Sequence, residues 1–170
     1  MAVPITLFAD FTCPTCYVTE AALWRRAAEG GVTITCRAAE LEPAGDEADR
    51  PSTGKAHEAA KLAREQGAEE TMRLAIYRAF LEEGLDIGRI DMLQRLAPEA
   101  GLDPIDLKIA LDLDRFRDEV LRDQEVARRL GIRREPVLYF GTGPGARILI
   151  GAQTEDEIRT AIIDYRPSPS

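Results

Sequence analysis

Hydrophobic and polar positions change period several times along the 170-residue chain, and the changes divide it into elements. Ile5-Thr6-Leu7-Phe8-Ala9-Asp10 is apolar and β-prone, the pattern of a buried strand. From Tyr17 to Glu29 the apolar residues fall at helical spacing, and Gly30-Gly31 supplies the stop. Val32–Cys36 predicts a second strand, followed by an irregular connection over 37–43 and a Gly-, Pro-, Asp- and Ser-rich surface loop over 44–54. Everything from Lys55 to Leu130 is helical in pattern. Lys55–Gln66 ends at Gly67, and Glu69–Glu83 places Met72, Ile76, Phe80 and Leu81 on one face before Gly84. Arg89–Ala100 stops at Gly101, Asp103 caps a helix with Pro104 at its first position, and Asp114–Leu130 closes at Gly131. Strand signals return at 136–140 and 146–150 around a hairpin turn at 141–145. Thr154 then caps a last helix, Glu155–Asp164, and 166–170 forms a frayed tail.

This order predicts an α/β fold. A βαβ half with a right-handed crossover and a ββα half share one mixed sheet, and a helical block is inserted between them. The boundaries fall at 1–54 and 118–165 for the sheet-bearing parts, 55–117 for the insertion and 166–170 for the tail. A chain of this length buries a sizeable core without a disulfide staple. Its 22 basic and 30 acidic residues leave a net charge of −8, which argues against a nucleic-acid or anionic-membrane partner. No apolar run approaches the roughly 20 residues of a membrane span. Met1-Ala-Val-Pro enters the first strand with no basic or apolar leader region, so the expectation is a cytoplasmic chain without a signal peptide.

Cys13-Pro14-Thr15-Cys16 stands where the first strand meets the first helix. A thiol at a helix start faces unpaired N–H groups and the positive end of the dipole, both of which stabilise a thiolate. Cys16 lies about one turn on, within reach for a disulfide. By the same argument the Cys13 pKa is expected at ~5–7, between those of strong oxidants and thioredoxin. Thr15, between the cysteines, brings neither charge nor a titrating group. Two blander readings stand beside the redox one. The first is a pair of buried apolar cysteines. The second is a zinc site, for which Cys36 and His57 are the only other soft ligands.

Asp10 and Glu135 are either acidic neighbours opposing the thiolate or solvated loop charges. Pro136 opens a strand just after a turn, a position where a cis bond occurs and leaves an edge for a peptide. Cys36 is expected buried, His57 on the surface of an Ala/Lys-rich helix, and Trp24, Tyr77 and Phe80 in the core. Gly141–Gly145 joins two strands, so it is no phosphate loop.

Several segments carry a family resemblance. They are Ala9-Asp10-Phe11-Thr12-Cys13-Pro14-Thr15-Cys16, Tyr77–Gly84, Leu96–Leu102, Ala127–Ile132 leading to Pro136, and Ile150-Gly151-Ala152-Gln153. With the order of elements, they resemble the DsbA family, a thioredoxin fold with a helical insertion, and within it the FrnE-like branch. The resemblance implies thiol–disulfide exchange without a cofactor. Cys13 is then the attacking thiolate, Cys16 the resolving thiol, and Pro136 the cis-proline of the peptide site. Pro14, Thr15 and Glu135 would flank the substrate. The implied partners are disulfide-containing proteins or peptides and a thiol reductant, glutathione or the thioredoxin system. Two positions depart from the pattern. Glu135, with Arg133 and Arg134, replaces a small or β-branched residue, and Thr15 replaces the histidine of strong oxidants. The alternatives are a non-catalytic redox-sensing or metal-binding module of the same fold, and a glutathione-dependent isomerase. That last group carries serine where this chain has Cys13.

Overall fold

A computed structural model describes residues 2–42 and 50–165. The expected surface loop therefore lies outside the described residues as far as position 49, and the expected tail at 166–170 lies outside them entirely. In chain order the elements are β1 (Val3–Ala9), α1 (Pro14–Ala28), β2 (Val32–Ala38), α2 (Gly54–Glu65), α3 (Glu69–Leu81), α4 (Ile90–Leu96), α5 (Pro104–Asp112), α6 (Arg117–Arg129), β3 (Val137–Phe140), β4 (Arg147–Ile150) and α7 (Glu155–Asp164). Two helices differ from their sequence pattern for local reasons. The one expected to reach Ala100 stops at Leu96, and Ala97–Ala100 tightens into a 3-10 turn around Pro98, which has no N–H for an α-helical bond. α6 starts at Arg117 rather than Asp114, because Asp114 adopts a left-handed φ of 53° through which no α-helix runs.

The strands form one sheet in the order β2-β1-β3-β4. β1 and β2 are parallel, from Val3↔Val32 to Ala9↔Ala38. β3 is antiparallel to both β1, with Phe8 opposite Val137, and β4, with Val137 opposite Ile150. The α/β class and mixed sheet are as the pattern predicts. Because side chains alternate along a strand, this register sorts residues onto two faces. Ile5, Leu7, Ala9, Cys36, Ala38, Leu138 and Phe140 share one face and are all buried. The other face mixes buried Phe8 and Val137 with half-buried Tyr139 and exposed Thr33, Thr35, Ile148 and Ile150. α1 packs along α7 and against β2. The Gln153 N–H donates to Thr19 Oγ1 at 3.0 Å, and Arg159 grips Glu29 with two 3.0 Å bonds. α7 begins in a full capping box: Thr154 Oγ1 accepts from the Glu157 N–H, and the Glu157 carboxylate accepts from the Thr154 N–H.

The described chain divides into two compact units, residues 2–42 with 127–165 and residues 50–126. The first holds the whole sheet, α1 and α7. The second is helical, with α2 packed against α3, α4 and α5. Ala56, Ala59, Ala60 and Ala63 are all buried on α2, and so is His57. The expected surface histidine is therefore an interior one. Alanines let neighbouring helices approach closely, so the flanks of α2 are buried as well as its apolar stripe. Its charged residues are accordingly paired: Lys61 with Asp123 and Glu119, and Glu58 with Lys55 and the Phe116 N–H. Tyr77 is buried, as are Met72 and Ile76 on the same helix, whereas Trp24 and Phe80 are only half-buried rather than core.

Removing the hydroxyl of the α7 cap tests how much this helix holds the sheet unit together. Thr154→Ala is expected to lower stability by about 1 kcal/mol, read as a lower urea midpoint at an unchanged m-value.

Candidate active site

β1 is the central strand that delivers the chain to the site. Beyond Ala9 the backbone turns, with the Cys13 N–H donating to the Asp10 carbonyl at 3.3 Å. Asp10 is buried, and its carboxylate holds two backbone donors, Phe11 N–H at 2.9 Å and Leu41 N–H at 3.1 Å. It thus ties the exit of β1 to the segment leaving β2. The alternative of a solvated loop charge fails for Asp10, since the site's own backbone uses the carboxylate as an acceptor.

Cys13 is the N-cap of α1, in extended conformation, with Pro14 at the first helical position. Pro14 has no N–H to leave unpaired and a φ suited to a helix start. The Cys13 sulfur accepts from the Cys16 N–H at 3.1 Å, as a cap oxygen would. Thr15 Oγ1 lies 3.2 Å from the same sulfur. Thr15 therefore does add something: a hydroxyl positioned to donate to the thiolate. Its spacing, two residues past a cap, was the available signal. Pro14 and Thr15 are exposed, and Val18 beside them is 60% exposed.

These contacts separate the two thiols. Cys13 is lowered to about 7, foremost by the hydrogen bond from the Cys16 thiol, then by Thr15 and the Cys16 N–H, against its own burial and the Asp10 charge. That value stands at the top of the expected range. Cys16 is fully buried, and desolvation pushes it well above the ordinary thiol value, helped by its bond to Cys13. Of the two sulfurs, that of Cys13 is the one poised to ionise near neutral pH, and that of Cys16 stays a thiol. Cys36 is buried on β2 opposite Leu7, as expected.

Topology places Pro136 at the end of the sheet that also carries the dithiol. Pro136 directly precedes Val137, which pairs with Phe8, so Pro136 lies at the sheet end where β1 runs out towards Cys13. Pro136 is buried and its carbonyl accepts from the Gly151 N–H at 2.8 Å. No peptide bond among the described residues is cis, so the bond before Pro136 is trans, the ordinary lower-energy form, and the cis expectation is corrected. Glu135 is exposed, and its carboxylate lies over Gly151 rather than at Cys13. Among the described residues no three His, Cys, Asp or Glu side chains cluster to hold a metal ion.

A family profile describing the DSBA-like thioredoxin domain matches residues 4–163. The chain belongs to that family. It is 26% identical over 152 residues to the uncharacterised protein YwbO of Bacillus subtilis strain 168, covering 69% of this chain and 76% of that one. Its fold matches SCO1869 from Streptomyces coelicolor, a probable DsbA oxidoreductase, with TM-score 0.74 and 22% identity over 99% of this chain and 93% of that one. BdbD from Bacillus subtilis, in its oxidised form, matches with TM-score 0.71 and 18% identity, over 96% and 86% of the two chains. The thiol–disulfide exchange protein α-DsbA2 from Wolbachia pipientis matches with TM-score 0.71 and 16% identity, over 96% and 82%. The expected thioredoxin fold with a helical insertion is the observed one, and the Cys13–Cys16 pair fits the CxxC motif of the DsbA-like thiol–disulfide oxidoreductase family.

Two measurements follow from the thiol environment. Iodoacetamide alkylation of Cys13 in the reduced protein is expected to have a midpoint near pH 7, and Thr15→Val, which deletes the hydroxyl, moves it upward. Stability of the reduced form has two opposing thiol contributions. A depressed folded-state pKa stabilises at high pH, so Cys13 adds stability as pH rises from about 7 towards 9. A raised one does the reverse, so Cys16 withdraws stability above about 9. Urea midpoints of Cys13→Ser should lose the rise between pH 7 and 9, while those of wild type keep it.

Proposed function

We propose that Cys13 and Cys16 are the working dithiol of an enzyme that reduces or isomerises protein disulfides. The observation that carries this reading is the Cys13 sulfur at the helix start, accepting the Cys16 N–H while the Cys16 thiol is buried. The Cys13 thiolate attacks one sulfur of a substrate disulfide, forming a mixed disulfide and releasing the other sulfur as a thiolate that takes a proton from water. The Cys16 thiol then loses its proton and attacks the Cys13 sulfur. The second substrate thiol leaves, the enzyme pair becomes a disulfide, and two electrons have passed to the substrate. A thiol reductant, glutathione or the thioredoxin system, restores the pair. If Cys16 does not attack and a substrate thiol does, the substrate is isomerised.

The roles of the remaining residues belong to the same reading. Exposed Pro14 and Thr15 meet the substrate on one side of Cys13, and Pro136 with Glu135 shapes the peptide site on the other. The quoted segments fit the FrnE-like branch, and a cytoplasmic location suits the direction. A thiolate of pKa about 7 is less stabilised than that of a strong oxidant, which makes the disulfide a weaker oxidant and favours reduction in a reducing compartment. No helix among the described residues is long and apolar enough to cross a membrane.

Insulin reduction with dithiothreitol tests the reading. Wild type should accelerate the turbidity, Cys13→Ser should abolish the acceleration, and Cys16→Ser should accumulate mixed disulfides with substrate. An inactive wild type would favour the redox-sensing module instead. A reduction potential above about −150 mV would overturn the direction, though not the dithiol.

A further inference from the structure

The sheet ends at β4, and the open side of that strand is laid out to receive a copy of itself. In an antiparallel ladder, residues turn their N–H and C=O groups alternately to one neighbour and away from it. The Gly151 N–H donates to the Pro136 carbonyl, so residues 147, 149 and 151 face β3. Ile148 and Ile150 then face outwards. Of their four backbone groups, the Ile150 carbonyl accepts from Gln153 Nε2 at 3.3 Å, and the structure gives the other three no partner among the described residues. Their side chains are 48% and 66% exposed. With Val137, Tyr139, Leu130 and Ile132 they line a hollow of about 610 Å³ whose lining also includes the charged Glu42, Arg133, Arg134 and Glu135. The opposite edge, β2, presents threonines there instead (Thr33 and Thr35).

We infer that β4 pairs antiparallel with the β4 of a second copy, about a two-fold axis at Leu149. This is the register in which both outward-facing residues find equivalents, Ile148 opposite the other copy's Ile150 and the reverse. Each such pair exchanges both N–H···O bonds, and Leu149 meets its own mate at the axis. One residue further out, Arg147 comes opposite Gly151 of the other copy. Gly151 is the residue over which the Glu135 carboxylate lies. The register therefore sets Arg147 of each copy beside Glu135 of the other, two ion pairs related by the axis. In its own chain Arg147 already bonds Asp164 at 2.9 Å, and a guanidinium has donors for both carboxylates. A slip of two residues breaks the charge match and leaves one isoleucine on each copy unpaired. The chain's net charge of −8 opposes association in general, so the place where opposite charges meet selects the contact. Glu135 directly precedes Pro136, so the pairing also braces the loop beside the dithiol.

Sedimentation equilibrium over a range of concentrations tests this. The expected result is a reversible monomer–dimer equilibrium. Ile148→Pro deletes an outward N–H and none of the β3 ladder, so it should weaken the dimer at least tenfold with an unchanged thermal midpoint. Arg147→Glu and Glu135→Arg should each weaken it, and the double variant should restore it. The charge variants keep the test decisive if the proline variant fails to fold. A protein that stays monomeric at every concentration overturns the inference. So does a dimer unaffected by Ile148→Pro, or one unaffected by both single charge variants.

Discussion

A sulfur atom stands where most helices place an oxygen. Cys13 caps α1, and the rest of the site follows from putting a polarizable, titratable acceptor at the point where N–H groups converge. The cap requires β1 to end at a fixed place, so the buried carboxylate of Asp10 gathers the backbone on both sides of that end. It requires the helix to begin immediately, which Pro14 favours. It also places Cys16 one turn into the helix, where the fold can bury it completely.

Burial then divides the labour between two chemically identical groups. Cys13 is almost covered but keeps its donors, and its anion is favoured; Cys16 has lost its water, and its neutral form is favoured. Asp10 opposes ionisation of both thiols while serving as a structural acceptor, so the same carboxylate that positions the loop holds back the Cys13 anion. Thr15 works in the other direction without carrying charge. The hydrogen bond from the Cys16 thiol favours the Cys13 anion most and burial opposes it most, while Thr15 and Asp10 adjust that balance from the two sides.

Much of this was legible in the sequence, because local signals and tertiary demands agree there. Thr154 caps its helix, Asp103 caps another, and the apolar alternation of Ile5-Leu7-Ala9 describes the buried face of β1. The CxxC pair and its place before a helix were equally open to reading. Three things were not. His57 stands among alanines and lysines, a composition shared by solvated helices and by central ones that small residues allow to be surrounded. Asp10 and Glu135 carry the same charge, and only the backbone donors around Asp10 reveal that one is interior and the other exposed. Pro136 could be placed at the head of a strand, but the isomer of its peptide bond depends on contacts far away along the chain.

The third cysteine has a consequence of its own. Cys36 is sealed on the covered face of the sheet, in register with Leu7, and Cys16 is sealed on the buried side of the first helix. A small alkylating reagent added to the reduced native protein thus meets a single accessible thiol chemistry, that of Cys13. Cys36 becomes available only when β2 parts from β1, an event that dismantles the core of the sheet unit. The chain carries both a probe of its helix-start thiol and an unfolding clock, read by the same reagent.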